Sequence, residues 1–265
     1  MRILIVFFCL ISLNVWSQEV PAIIKRFDSK VYSLKSKGVS EFVVDIHSSK
    51  LTQTMNDLMT FGKVKELFFR IYWTANPERI AIEVFGLPEG FKEIKDELKG
   101  NVSNLLDGLL PPTTAQRFAG YKFILGTNPL EITAQDSTGV AVVPTYVFTF
   151  DKEEKLTQIS GKKPVGSIDI NPSYTKTSYS EGRWVLEKLV TNANEAGQSI
   201  KMIKEFSYGK HEGHTVLKEM TLRTEQAIPQ SNPLISEEDV DFKNYKINSG
   251  EALKYFLGES NKLTP

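Results

Sequence analysis

The chain has 265 residues, long enough to bury a core without covalent staples. Its 32 Lys and Arg balance its 32 Asp and Glu. Such a balance gives no support to a nucleic-acid partner, whose phosphates call for a basic face, or to a polybasic membrane contact, and no nucleic acid is expected. The single cysteine, Cys9, excludes a disulfide framework.

The first elements read as an export signal. Met1-Arg2 precede an apolar run from Ile3 to Val15, and Val15 and Ser17 stand where a signal peptidase wants small or branched residues. Cleavage is expected after Ser17, making residues 1–17 a signal peptide and the mature chain periplasmic. A membrane-spanning helix would need roughly 20 apolar residues, and the polar pair Gln18-Glu19 comes too soon. Cys9 follows Phe7-Phe8 rather than a small residue, so lipid anchoring there is not expected.

Residues 20–37 carry Val20, Ile23, Ile24, Phe27, Val31 and Leu34 at helical spacing, with Gly38 as the stop. From Val39 the period falls to two: Phe42, Val44 and Ile46 alternate with Val43, Asp45 and His47, which predicts a strand. Residues 51–65 fit neither period. Glu66 to Thr74 and Arg79 to Phe85 read as a hairpin broken at Ala75-Asn76-Pro77-Glu78. A second amphipathic helix is predicted from Phe91 to Leu109, bent or weakened at Gly100 and stopped by Pro111-Pro112. Short strands are then expected near 121–125, 130–135, 145–150, 156–160, 174–179, 184–191, 199–208 and 216–223. Polar or glycine-bearing turns between them point to antiparallel neighbours. Val240 to Ile247 reads as a last strand and Ala252 to Leu257 as a short helix. About ten antiparallel strands and two or three helices in one domain, residues 18–265, predict an α+β fold: a strongly curved sheet covered by amphipathic helices.

Candidate chemistry is sparse. His211-Glu212-Gly213-His214 reads as a glycine-bearing turn rather than a metal pair, and His47 as an outward strand residue. Glu93, Asp96 and Glu97 alternate with lysines as a wet helix face does. There is no nucleophile elbow, phosphate-cradling loop or dinucleotide fingerprint. No enzyme activity, cofactor or metal is expected.

The strands do carry much apolar and aromatic surface. Phe42, Val44, Ile46, Phe69, Ile71, Trp73, Ile80, Ile82, Tyr146, Phe148, Phe150, Trp184 and Leu186 would all face the inside of a curled sheet. One reading is an ordinary packed core. The other is a groove for acyl chains, each methylene of which gains about 0.8 kcal/mol on burial.

A resemblance bears on this choice. The N-terminal helix Val20 to Lys35 leads into Ser40-Glu41-Phe42-Val43-Val44-Asp45-Ile46. The hairpin Ile71 to Val84, the segment Gly182-Arg183-Trp184-Val185-Leu186-Glu187-Lys188 and the stretch Phe242 to Asn248 follow. Together they resemble the periplasmic outer-membrane lipoprotein carriers and sorting proteins, the LolA/LolB-like half-barrels. The resemblance implies an incomplete antiparallel barrel whose apolar cavity accepts acyl chains of lipids or lipoproteins, with helices 20–37 and 89–110 as a lid. It also implies an arginine that holds the lid, for which Arg70 and Arg79 are the candidates. An inner- or outer-membrane receptor would be an additional partner. An envelope interaction module of the same fold, binding protein segments, is the alternative function.

Overall fold

The computed structural model describes residues 20–58, 62–102, 105–229 and 231–258. The expected signal peptide, its cleavage point and Cys9 lie outside them. Among the described residues, twelve strands form one sheet and five α-helices pack on it. The strands are β1 (Glu41–Ser48), β2 (Phe68–Ala75), β3 (Glu78–Phe85), β4 (Tyr121–Leu125), β5 (Glu131–Asp136), β6 (Thr145–Phe150), β7 (Leu156–Lys163), β8 (Gly166–Thr175), β9 (Val185–Glu195), β10 (Gln198–His211), β11 (His214–Ala227) and β12 (Leu234–Ile247). The helices are α1 (Ala22–Lys30), α2 (Ser49–Leu58), α3 (Lys92–Val102), α4 (Thr114–Arg117) and α5 (Glu251–Phe256).

The topology is a meander from β4 to β12, after which β12 pairs with β1 and the β1–β2–β3 run completes the sheet. Every pairing is antiparallel. The fold is thus α+β with an open antiparallel sheet whose edges are β3 and β4. Two-residue turns join β9 to β10 and β10 to β11. Ala196-Gly197 and Glu212-Gly213 all have positive φ, which suits the right-handed twist of the strands they join.

Alternation assigns the faces. In β1, Phe42, Val44 and Ile46 are fully buried beside their β2 partners Trp73, Ile71 and Phe69. They form one core with α3, the segment after it and Val216, Leu217, Met220 and Phe242 of the meander. A second core joins Ile23, Ile24 and Phe27 of α1 to Ile132, Phe148, Phe150, Leu156 and Ile159 of β5–β7. On the opposite face of β1–β3, α5 covers Val43 and Tyr72, the latter stacked on Tyr255 at 4.0 Å. Glu41 holds the start of α5 by accepting the Gly250 and Ala252 amides at 2.6 and 2.8 Å.

Several expected boundaries are corrected. The helix expected at 20–37 stops at Lys30, because Trp184 takes its place as backbone partner: Trp184 N donates to Lys30 O and Tyr32 N to Trp184 O, at 2.7 and 2.8 Å. The chain resumes only as a 3-10 turn, Lys35–Lys37, closed by Gly38 at φ 78°. The ambiguous 51–65 stretch holds α2, whose Asn56 accepts the Val64 amide. The helix expected to reach Leu109 ends at Val102. The strand expected at 174–179 lies earlier, as β8, and turns follow Thr175.

Candidate functional site

The two cores do not merge completely. Ile170 and Tyr174 of β8 pack against both, and beside them runs a cavity of about 690 Å³. Phe27, Phe118, Leu156 and Ile159 contribute from one core, and Trp73, Leu106, Leu186 and Leu189 from the other. Residues of β2 and β3 therefore meet those of β7, β8 and β9 across one space, although β1, β12, β11 and β10 separate them in the sheet. A volume of several hundred cubic ångströms with mainly apolar walls is the usual form of a small-ligand site.

The covering side is the C-terminal half of α1 with the segment from Leu106 to Phe118. Pro111-Pro112 cannot continue a helix, so this segment crosses the sheet as turns before α4 begins. Its Gly108 lies where an added Cβ would come within 2.5 Å of the Phe206 ring. Thr113 caps α4 in a reciprocal box with Gln116. Asp28 of α1 then accepts both the Thr114 amide and its hydroxyl, at 2.9 and 2.8 Å, joining the two parts of the cover. Further ties fix α1 to the sheet. Arg26 forks onto Glu154 at 2.7 to 3.0 Å, and the Arg183 guanidinium donates to Ser29 O at 2.6 Å.

The thirteen residues expected to line a groove divide. Trp73, Ile80 and Leu186 reach the cavity wall. Phe42, Val44, Ile46, Phe69 and Ile71 are sealed in the first core, with Ile82 half-buried against it. Phe148, Phe150 and Trp184 belong to the second core, with Tyr146 packed on it. Trp184 also lies under Lys176, whose ammonium is 3.9 Å from the ring centroid. Of the two candidate lid arginines, Arg70 is on the far face, forked onto Asp45 at 2.7 and 2.9 Å. Arg79 stands at the cavity rim.

Polar residues absent from the expected set gather at the cavity. Asp107 takes Lys204 at 2.6 Å and Arg117 at 2.8 Å. Burial pushes the Asp28 carboxyl above the ordinary carboxylate range, against the lowering pull of its Thr114 hydrogen bonds and of Arg117. Burial likewise pushes the Tyr174 phenol well above its ordinary value. These positions carry no local sequence signature; only the crossing of residues 106–118 over β8 and β10 assembles them.

The histidines have structural partners. His47 is mostly buried, stacked on Phe68 with its Nδ1 2.7 Å from Glu66, rather than outward in solvent. His211 and His214 close the β10–β11 hairpin, and His211 Nε2 meets Tyr245 O at 2.8 Å. Among the described residues no three His, Cys, Asp or Glu side chains are grouped to hold a metal ion, and no helix is long and apolar enough to cross a membrane. Comparison with protein-family models, curated proteins and solved structures gives no match.

Proposed function

We propose that this chain is an exported, non-enzymatic carrier or sensor of the periplasm that binds acyl chains of lipids or lipoproteins, with a role in outer-membrane lipoprotein sorting. In this reading the sheet is a LolA/LolB-like half-barrel, and α1 with residues 106–118 is its lid. The observation that carries the proposal is the cavity of about 690 Å³ left at the seam of two otherwise well-filled cores. Burying hydrocarbon there gains about 0.8 kcal/mol per methylene, so a chain of ordinary lipid length needs few polar contacts to be held.

The lid is held by apolar burial, with Ile23, Ile24, Phe27 and Phe118 in the second core and Leu106 and Leu109 in the first, contacts that an entering chain must replace, and by polar ties at its ends. Arg26 is half exposed in its pair with Glu154, and exposed ion pairs contribute about 1 kcal/mol or less. An entering chain would displace the α1 end and the 106–118 crossing from the sheet and take their place over Ile170 and Leu189.

The test is native mass spectrometry with lipid extraction on protein isolated from its own envelope. The expected result is an acyl lipid or acylated peptide that leaves with the protein and is exchanged for a fluorescent fatty-acid probe. Protein that is ligand-free and takes up no probe would sink the proposal. An unacylated peptide in the extract would move the reading to an interaction module of the same fold.

A further inference from the structure

Among the described residues, four of the nine tyrosine hydroxyls donate to backbone carbonyls, Tyr121 to Val143 O among them. Tyr32 donates to Thr215 O at 2.7 Å, Tyr208 to Leu186 O at 3.1 Å and Tyr245 to Leu217 O at 2.6 Å. Tyr174 differs. It lines the cavity with its ring edge-on to Phe27 at 5.4 Å, and its hydroxyl makes no hydrogen bond among the described residues. A phenol in so apolar a setting stays protonated, so it presents a donor to whatever occupies the space.

The surrounding charges decide which acceptor fits. Arg117, Asp28 and Asp107 all lie within electrostatic reach of the Tyr174 hydroxyl. Arg117 is already paired with Asp107, and the same carboxylate holds Lys204. Asp28 is committed to Thr114. Around the Tyr174 hydroxyl two carboxylates thus stand against two cations, and no uncompensated positive charge is left there for an anion; Arg79 and Arg183 also line the cavity but are not among the charges acting on this hydroxyl. An incoming carboxylate would lose its hydration beside Asp28 and Asp107 while the nearest guanidinium is engaged. A neutral carbonyl asks for one donor only.

We infer that the cavity selects chains whose polar end is an ester or amide carbonyl, anchored by the Tyr174 hydroxyl, over free fatty acids and plain alkanes. The inference rests on the acyl-chain reading above and narrows its ligand class. Glycerolipids and acylated peptides carry such carbonyls; unesterified fatty acids do not.

The experiment is displacement of a fluorescent acyl probe by methyl palmitate, palmitate and hexadecane, on the wild type and on Tyr174→Phe. The substitution keeps the ring and its Phe27 contact. In the wild type the ester should compete about tenfold better than either alternative, the size expected for one buried hydrogen bond. In Tyr174→Phe that advantage should disappear while the alkane is unaffected. Equal competition by all three ligands in the wild type, preference for palmitate, or an ester advantage that survives in the variant would overturn the inference and leave the acyl-chain reading standing. Failure of the probe and of every chain to bind would remove both. Should the variant not fold, the wild-type ranking alone decides.

Discussion

Asp28 is a carboxylate that burial works against and two hydrogen bonds from Thr114 work for, and burial prevails. A carboxyl whose folded pKa lies above its unfolded value contributes stability that is fully present below the unfolded pKa. That contribution is lost as pH rises through the folded one. Asp28→Asn, which keeps an oxygen to accept from Thr114, should therefore be at least as stable as the wild type at neutral pH, with the difference shrinking as the pH falls below the raised pKa of Asp28. Urea midpoints across that range check it, and a difference that does not vary with pH would count against it. Asp136 shows the opposite sign. The Ala141 amide and the Thr138 hydroxyl and amide hold its carboxylate down to about 2, so the 137–142 loop keeps its anchor until the pH falls through that value. Asp136→Ala should raise amide exchange at Thr138 and Ala141 and leave the strands unchanged; unaltered exchange at both amides would refute that.

At the scale of elements, β1 and β2 are joined by more than their ladder. Asp45, only 3% exposed in its side chain, accepts the Arg70 fork and the Asn244 amide, and Arg70 lies over Phe85 at 5.1 Å. Removing Asp45 leaves Arg70, 26% exposed, and the Asn244 amide without their acceptor. Asp45→Ala should lower the unfolding free energy by about 1–3 kcal/mol. Acyl-probe affinity of the folded fraction should not change, because the pair lies on the face away from the cavity; a loss of affinity at full folding would contradict this placement. The alternation that put Phe42, Val44 and Ile46 on one face was legible in sequence because successive strand side chains point to opposite faces, and here Glu41, Asp45 and His47 interleave with them even though both faces are covered. The end of α1 was not. Val31 and Leu34 continue its apolar stripe, but the backbone of Trp184, far along the chain, takes over the hydrogen bonding at Lys30 and Tyr32. The early part of β8 does alternate, Ile168 and Ile170 between Ser167, Asp169 and Asn171, but Pro172 interrupts the run, and its place in the sheet is fixed by pairing to β7 and β9. For the same reason Asp28, Asp107, Arg117 and Tyr174 could not be grouped beforehand: each is unremarkable locally, and the crossing of 106–118 brings them together.

For the whole molecule, what matters is that the chain supplies enough apolar volume for two cores but not for their seam. Phe148 is fully buried in a packed core and touches no cavity wall, so a charge there would test folding rather than binding. Leu110 is a better probe: it is half-buried, lines the cavity from the lid side and has free space before it. Leu110→Trp should direct its added bulk into that space instead of into filled core, where overpacking costs about 1–3 kcal/mol. The expected outcome is a folded protein, with a urea midpoint near that of the wild type, whose acyl-probe affinity falls at least tenfold. Ligand linkage supplies an independent reading of the same variant. A ligand at a hundred times its dissociation constant stabilises a folded protein by about 2.7 kcal/mol, so saturating ester should raise the wild-type midpoint and leave that of Leu110→Trp in place. A variant that folds and is stabilised by the ligand as the wild type is would locate acyl binding elsewhere than at this seam.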